Sequence, residues 1–226
     1  MIETMGKIGL ITIGQSPRDD VVPEMRAILG REYEIVEAGA LDDYTINGVL
    51  DQEVLPEDYI LITRMRDGTE VKVTKRFVVP LVQRRISDME EDGVKVILVL
   101  CTGKFPEFKS RALVVTPSEI VRGVVNGSIR RGRLGVVYPA EEQTTKAEEE
   151  WGGDGLHVYA DVASPYGSDE DLERLVDRLS EEDLDLILLN CMGFNNKMKR
   201  LIRKRTGKPV IQANALVARV LKELVA

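Results

Sequence analysis

Cysteine and histidine are scarce in this 226-residue chain, which contains two cysteines and one histidine. Two cysteines do not build the disulfide scaffold of a small secreted protein, and a reducing compartment would keep both as thiols. His157 stands in a short alternating segment, away from any group of cysteines and histidines at ligand spacing. The sequence therefore gives little support to a metal site.

Long apolar runs and an excess of positive charge are missing as well. No run approaches the ~20 apolar residues that span a bilayer, and the N-terminus lacks the pattern of a signal peptide. A formal net charge of -7 gives no attraction to nucleic acid, and helical spacing spreads the basic residues of Lys197 to Lys204. We expect a cytoplasmic protein that binds neither nucleic acid nor membrane, and the sequence leaves a homodimer open.

The chain does contain an apolar run ending in Cys-x-Gly, and this run occurs twice, from Val94 to Gly103 and from Leu184 to Gly193. In each copy an aliphatic segment of strand length stops at a cysteine, and the glycine two residues later permits a sharp turn close to a ligand. The matched placement predicts two equivalent reactive thiols. The alternative is that both cysteines are small core hydrophobes.

Strand-like and helix-like segments alternate along the chain, which predicts an α/β protein with mainly parallel sheets. Asp67-Gly68 between two strand-like runs adds an antiparallel hairpin. Three pairs of similar segments recur in the same order: Gly6 to Ile11 with Gly132 to Val137, the two Cys-x-Gly turns, and Thr116 to Val121 with Gln212 to Val217.

This repetition predicts two similar three-layer α/β/α halves, with four- to five-stranded sheets related by a pseudo-two-fold axis and a ligand cleft between them. The predicted first domain comprises 1–116 with the C-terminal helix at about 214–226 and carries the hairpin as an insertion. The predicted second domain comprises 117–213.

Ligands of open parallel sheets bind outside the carboxyl ends of the strands, and five predicted turns lie at such ends. The candidate catalytic residues are Cys101 and Cys191. The candidate substrate-binding residues are Gly14, Gln15, Ser16, Arg18, Thr102, Gly103, Thr116, Pro117, Ser118, Met192, Gly193 and Asn214.

The turn after the first strand is a candidate anion site. Pro17 suits the start of a helix running to Leu29, the first N–H groups of a helix attract anions, and Arg18 could add a charge-assisted bond to a carboxylate. A plain helix cap is the alternative interpretation.

Two opposed thiols suit the removal of a proton from one face of a carbon beside a carboxylate and its return to the other face. The enediolate that forms needs aimed hydrogen-bond donors. Addition of one cysteine to an activated double bond, with the other as proton donor, is a second use of the pair. Either route needs one thiolate, which nearby helix N-termini favour. A redox role is weaker, since the cysteines are not in Cys-x-x-Cys.

The pairing of strand-Cys101-Thr-Gly with strand-Asn190-Cys-Met-Gly in two α/β halves resembles the aspartate/glutamate racemase superfamily, which includes hydantoin racemases, maleate isomerases and arylmalonate decarboxylases. Within it, four segments spread nearly end to end are similar to the AroM family. They are Ile11 to Arg18, Pro117 to Ile120, Asn190 to Phe194 and Asn214 to Arg219.

The resemblance implies cofactor-independent acid/base chemistry on a small mono- or dicarboxylate, with Cys101 and Cys191 as the two catalytic groups. A small-carboxylate binding or regulatory protein without turnover is the alternative. Racemases of the superfamily often carry an acidic or imidazole helper beside a cysteine. In this chain Asn190 precedes Cys191 and Leu100 precedes Cys101, so the resemblance does not identify the group that assists either thiol.

Overall fold

A computed structural model describes residues 6–226, and the chain divides into two compact units. The first unit ends at Ser118 and also includes Arg219–Ala226, whereas the second comprises Glu119–Ala218. The domain boundaries given above stay a prediction, and residues 1–5 of the predicted first domain lie outside the described residues.

The first unit is built on a four-stranded parallel sheet in the order β2-β1-β5-β6. Its strands are β1 (Gly6–Thr12), β2 (Tyr33–Gly39), β5 (Val96–Leu100) and β6 (Leu113–Val115). Its helices are α1 (Val22–Leu29), α2 (Ile46–Leu50) and α3 (Lys75–Glu91), and α4 (Pro117–Ser128) begins at its boundary. Thr12 is paired with Leu100, so the residues that follow β1 and β5 emerge side by side.

An antiparallel hairpin, β3 (Ile60–Arg64) and β4 (Glu70–Thr74), confirms the prediction made from Asp67-Gly68. Gly68 has a φ of 96°, in the left-handed region that favours glycine in a tight turn. The hairpin contributes Leu61, Val71 and Val73 to the apolar core of the first unit. It is thus an integral part of that core.

The second unit has a four-stranded parallel sheet in the order β10-β9-β7-β8. Its strands are β7 (Gly132–Tyr138), β8 (Leu156–Val162), β9 (Leu186–Leu189) and β10 (Val210–Gln212). Its helices are α5 (Ala147–Trp151), α6 (Asp169–Glu181) and α7 (Asn196–Thr206), and α8 (Ala213–Val225) follows β10. Written from its other edge, this order is β8-β7-β9-β10, and it matches β2-β1-β5-β6 of the first unit. In each sheet the first strand along the chain lies between the second and the third, and the fourth lies beside the third. The predicted α/β class with two halves and parallel sheets is confirmed.

Both sheets contain buried, mainly aliphatic strands, as is typical of parallel sheets covered on both faces. Residues 8 and 10–13 of the segment containing β1, and all four residues of β9, are buried. Strands covered by helices on both faces take such continuous apolar sequences. α6 covers the second sheet with Leu172, Leu175, Val176 and Leu179, after a capping box formed by Ser168 and Asp171.

The helix predicted from Pro17 begins five residues later, at Val22. The Arg18 backbone N–H donates to Glu37 and its guanidinium donates to Thr12 and Asp20, so side-chain bonds hold this segment as a turn. Pro23 occupies the first turn of α1, where a proline costs no hydrogen bond.

Two further segments differ from what their sequence pattern predicts. The pattern predicts a helix from about Asp42 to Leu50, and the helix begins at Ile46, after Thr45 accepts a bond from the Gly48 N–H as its N-cap. The pattern also predicts one helix from Ala140 to Trp151, but this segment is a 3₁₀ helix, Glu141–Lys146, followed by α5, and Ala140 makes no side-chain cap. None of the helices in residues 6–226 has both the length and the apolar character needed to cross a membrane.

Candidate functional site

The two Cys-x-Gly turns occupy matched places in their sheets. Cys101 follows β5 and Cys191 lies two residues after β9, and each of these strands is an inner strand. The Gly103 N–H donates to Cys101 Sγ at 3.4 Å, and the Gly193 N–H donates to Cys191 Sγ at 3.5 Å. Both turns thus place the N–H of the glycine against the sulfur of the cysteine two residues earlier.

The Cys101 turn has apolar surroundings. Cys101 is 9% exposed and belongs to the core of the first unit. A Cβ at Gly103 would lie 2.7 Å from Leu61 Cδ2 and 3.7 Å from Phe105. Strand β3 therefore lies directly on this turn, and the position has room for glycine alone without a shift of Leu61.

The Cys191 turn is more accessible and more polar. Cys191 is half-buried, and a Cβ at Gly193 would lie 2.9 Å from Pro165 Cγ and 3.0 Å from Tyr166 Oη. The Gln212 amide donates to the Phe194 carbonyl at 2.8 Å and thereby holds the end of the turn. Tyr166 lies in a Ser-Pro-Tyr-Gly turn beyond the carboxyl end of β8 and is a site residue that no sequence pattern indicated.

The predicted anion site after β1 is filled by a carboxylate of the chain itself. Asp42 accepts bonds from the Ser16 N–H at 2.7 Å, the Ser16 hydroxyl at 2.8 Å and the Gly39 N–H at 2.7 Å. The Arg66 guanidinium lies 3.3 Å from the same carboxylate. Asp42 is a residue that sequence reasoning missed, and it shows that this loop has the donors to bind a carboxylate.

Gly14 and Gln15 connect this loop to the hairpin. A Cβ at Gly14 would lie 2.4 Å from both Thr63 Oγ1 and the Arg64 carbonyl oxygen, so only glycine fits. The Gln15 side chain accepts from the Arg66 N–H at 2.9 Å and donates to two carbonyls of the 41–44 segment. The loop, the hairpin and the turn after β2 therefore form one hydrogen-bonded group.

Arg18 is buried and paired. Its guanidinium donates to Asp20 through Nε at 2.8 Å and Nη2 at 2.7 Å, and to Thr12 through Nη1 at 2.8 Å. Burial by itself raises the pKa of Asp20, but the hydrogen bonds and positive charge of Arg18 outweigh burial and hold that pKa below its ordinary value of 3.8. Arg18 would bind a substrate carboxylate only by exchanging Asp20 for it.

Asn214 lies in the first turn of α8 and is 1% exposed, and within residues 6–226 its Oδ1 atom has no hydrogen-bond partner. A buried unpaired amide oxygen is costly, so a hydrogen-bond donor from a ligand would stabilise it. α8 is 13 residues long, and its first N–H groups add a second reason for polar ligands to bind here.

The remaining candidate residues lie in the two turns, at the start of α4 and beside a cavity. Thr102 and Met192 are the middle residues of the two turns, the first half-buried and the second buried. Pro117 and Ser118 open α4. Thr116 borders a cavity of about 300 Å³ lined mainly by 105–114. In residues 6–226, no group of three or more histidines, cysteines and carboxylates could hold a metal ion.

A family model described as AroM protein matches residues 8–225. The chain belongs to the AroM family. A search of curated proteins finds no match.

Solved structures similar to this AroM-family chain include racemases, an isomerase and arylmalonate decarboxylases, all of low sequence identity. A glutamate racemase from Aquifex pyrophilus is 17% identical, with a TM-score of 0.58 over 97% of this chain and 84% of that one. An allantoin racemase from Pseudomonas fluorescens is 16% identical, with a TM-score of 0.61 over 97% and 90%. A maleate isomerase from Pseudomonas putida S16 is 12% identical, with a TM-score of 0.59 over 97% and 92%.

These likenesses extend over nearly the whole AroM-family chain and establish the fold. The resemblance predicted from the sequence is confirmed: an AroM-family chain with the fold of the aspartate/glutamate racemase-like superfamily.

Proposed function

We propose that this AroM-family protein is a cofactor-independent racemase or isomerase that acts on a small mono- or dicarboxylate. The observation that carries the proposal is the pair of Cys-x-Gly turns, in which a glycine N–H donates to the cysteine sulfur at 3.4 and 3.5 Å. Their equal positions in two sheets of the same strand order support a duplicated α/β unit with one thiol in each copy. The fold shared with racemases and an isomerase supports the reaction class.

The proposed reaction needs both turns to face one ligand. One cysteine, as thiolate, takes the proton from the carbon beside the carboxylate, and the C–H electron pair enters an enediolate. The other cysteine, as thiol, then gives its proton to the opposite face of that carbon. The two sulfurs exchange protonation states, so no other reactant is consumed. Both must stay reduced, which a cytoplasmic location provides.

The proposed ligand contacts fall into two groups. Thr102, Ser118 and Asn214 meet substrate oxygens directly, together with the backbone N–H groups of the two turns. Ser16 and Arg18 meet them only by releasing Asp42 and Asp20. The first group therefore binds any small carboxylate ligand. The second group adds contacts when the ligand has an additional carboxylate.

A binding or regulatory protein for small carboxylates is the second candidate function. It is favoured by the surroundings of Cys101, which is 9% exposed in an apolar cluster, since free cysteine in such a position often serves as a small hydrophobe. This candidate keeps the ligand site and dispenses with proton transfer.

The test is proton exchange in heavy water with glutamate, aspartate and maleate as probes, followed by NMR. We expect deuterium at the substrate carbon, or conversion of maleate to its trans isomer. Cys101→Ser and Cys191→Ser should each lower the rate by roughly 10²-fold or more. Full exchange in both variants would contradict the proposal. Thermal stabilisation by a probe that survives both substitutions, without exchange in the unmodified protein, would establish the binding protein.

A further inference from the structure

The segment that follows β8 is a rigid turn. The Ala163 N–H donates to the Tyr138 carbonyl at 3.0 Å, and the Gly167 N–H donates to the Ser164 carbonyl at 3.2 Å. The Tyr166 N–H donates to the Ser164 hydroxyl at 3.0 Å. Beyond the turn, the capping box fixes the start of α6. Tyr166 is thus held from both sides.

The turn places the Tyr166 hydroxyl against the backbone of the Cys191 turn. Its Oη atom lies 3.0 Å from the position that a Cβ of Gly193 would take, with Pro165 at 2.9 Å from the same point. At these distances a Cβ at position 193 would force a shift of Pro165 and of the Tyr166 hydroxyl. The N–H of the same glycine donates to Cys191 Sγ. Tyr166 is half-buried, so a small ligand can reach its side chain.

At the matching place of the first unit, the three nearest atoms that the described residues bring to a Cβ at Gly103, its chain neighbours aside, include no hydroxyl. The side chains nearest to a Cβ at Gly103 are Leu61 and Phe105, with the Cys101 sulfur at 3.4 Å. A phenol stands where the first unit has aliphatic and aromatic carbon, and a phenol is a hydrogen-bond donor that stays neutral at pH 7. The Cys191 turn therefore has a hydroxyl group beside it. Its neighbour in the sequence, Asn190, is neither an acid nor an imidazole.

We propose that Tyr166 is a ligand-binding and catalytic residue at Cys191, where its hydroxyl donates a hydrogen bond to the carboxylate of the ligand. The inference rests on the proposed function, because it assumes a carboxylate held at that turn. A donor to a charged acceptor makes a short, strong bond. The same bond strengthens when charge moves onto the carboxylate oxygens in the enediolate, and this assists proton removal.

The test compares two alkylating reagents on the full chain. Iodoacetate carries a carboxylate and iodoacetamide is its neutral counterpart, so the ratio of their rates at Cys191 measures carboxylate recognition beside that thiol. Peptide mass spectrometry assigns the alkylated cysteine, and the ratio is normalised to a small free thiol. We expect a normalised ratio well above one in the unmodified protein and a roughly tenfold lower ratio in Tyr166→Phe.

Tyr159→Phe is the matched control. Tyr159 is a half-buried tyrosine of the same unit whose hydroxyl donates to Asp161 at 3.3 Å, and its loss should leave the ratio unchanged. Gly193→Ala, whose Cβ displaces the Tyr166 hydroxyl, is a second variant that should lower the ratio.

The outcomes separate the two proposals. A high ratio in the unmodified protein that persists in Tyr166→Phe and Gly193→Ala would overturn the role of Tyr166 and leave the proposed function in place. A ratio near one in the unmodified protein would overturn carboxylate recognition at Cys191, and with it both proposals.

Discussion

The Cys101 turn of the first unit and the Cys191 turn of the second share a backbone hydrogen bond but differ in what covers them. Leu61, from a hairpin about forty residues earlier in the chain, covers the first turn, and Pro165 with Tyr166 covers the second. Charge is concentrated on the loop beside the first turn, where Arg18 pairs with Asp20. The local sequence thus determines the conformation of each turn. Segments distant in the chain determine how polar its surroundings are and how exposed its cysteine is.

The largest expected effect comes from removing the charged pair on the loop beside the first turn. Asp20→Asn leaves the guanidinium of Arg18, 5% exposed in its side chain, without its carboxylate. Because an unpaired buried charge is strongly unfavourable, we expect the free energy of unfolding to fall by about 3 kcal/mol. Urea unfolding at pH 7 measures it. Asp19→Asn, at the exposed neighbouring position, should change it by less than about 0.5 kcal/mol.

The same pair predicts a pH dependence. The pKa of Asp20 in the folded protein lies below its ordinary value of 3.8, so its contribution is fully present above that pH and is lost as the pH falls through the folded-state pKa. The difference in stability between the unmodified protein and Asp20→Asn should therefore shrink below about pH 4. A difference that stays constant from pH 7 to pH 3 would contradict the assigned pairing.

Alanine at the two glycines sharpens the comparison of what covers each turn. Gly193→Ala meets the ring of Pro165, which cannot rotate away, and should lower the free energy of unfolding by about 2 kcal/mol. Gly103→Ala meets the end of the flexible Leu61 side chain and should lower it by less than about 1 kcal/mol. Thermal or urea unfolding of both variants measures these losses. If Gly103→Ala lost as much stability as Gly193→Ala, or more, Pro165 would not be a more rigid neighbour than Leu61.

The smallest effect concerns the apolar cover of the first unit. Thr63 is 1% exposed, its hydroxyl oxygen has no hydrogen-bond partner among the described residues, and Leu61, Val71 and Val73 around it are apolar. Thr63→Val keeps the shape and removes the unpaired group, so the free energy of unfolding should stay the same or rise by up to about 1 kcal/mol. Thr63→Ala, which leaves a void, should lower it. A clear loss in Thr63→Val would show that the hydroxyl has a partner after all.

Sequence patterns predicted those parts of the fold that depend on neighbouring residues. The aliphatic runs before Cys101 and Cys191 predicted β5 and β9, and Asp67-Gly68 predicted the hairpin. The helix starts at Pro17 and Asp42 were wrong, because Arg18 and Asp42 form bonds to residues of other segments.

Contacts with distant segments also explain which residues of the candidate site could not be predicted from the sequence. Asp42 and Tyr166 reach the site through contacts with residues 26 and 27 positions away, Ser16 and Gly193. No spacing rule of a helix or strand covers such separations. Cys101, Cys191 and their glycines could be named because each turn is coded within three consecutive residues.

The division of the chain has a consequence for its biosynthesis. The first unit takes in Arg219–Ala226, and the Tyr33 hydroxyl donates to the Val225 carbonyl at 2.8 Å. On the ribosome, residues 119–218 emerge as one uninterrupted stretch before those eight residues are made. The usual N-to-C order of domain completion is therefore reversed: translation of the first unit begins before that of the second, but the first unit is complete only once residues 219–226 have been made.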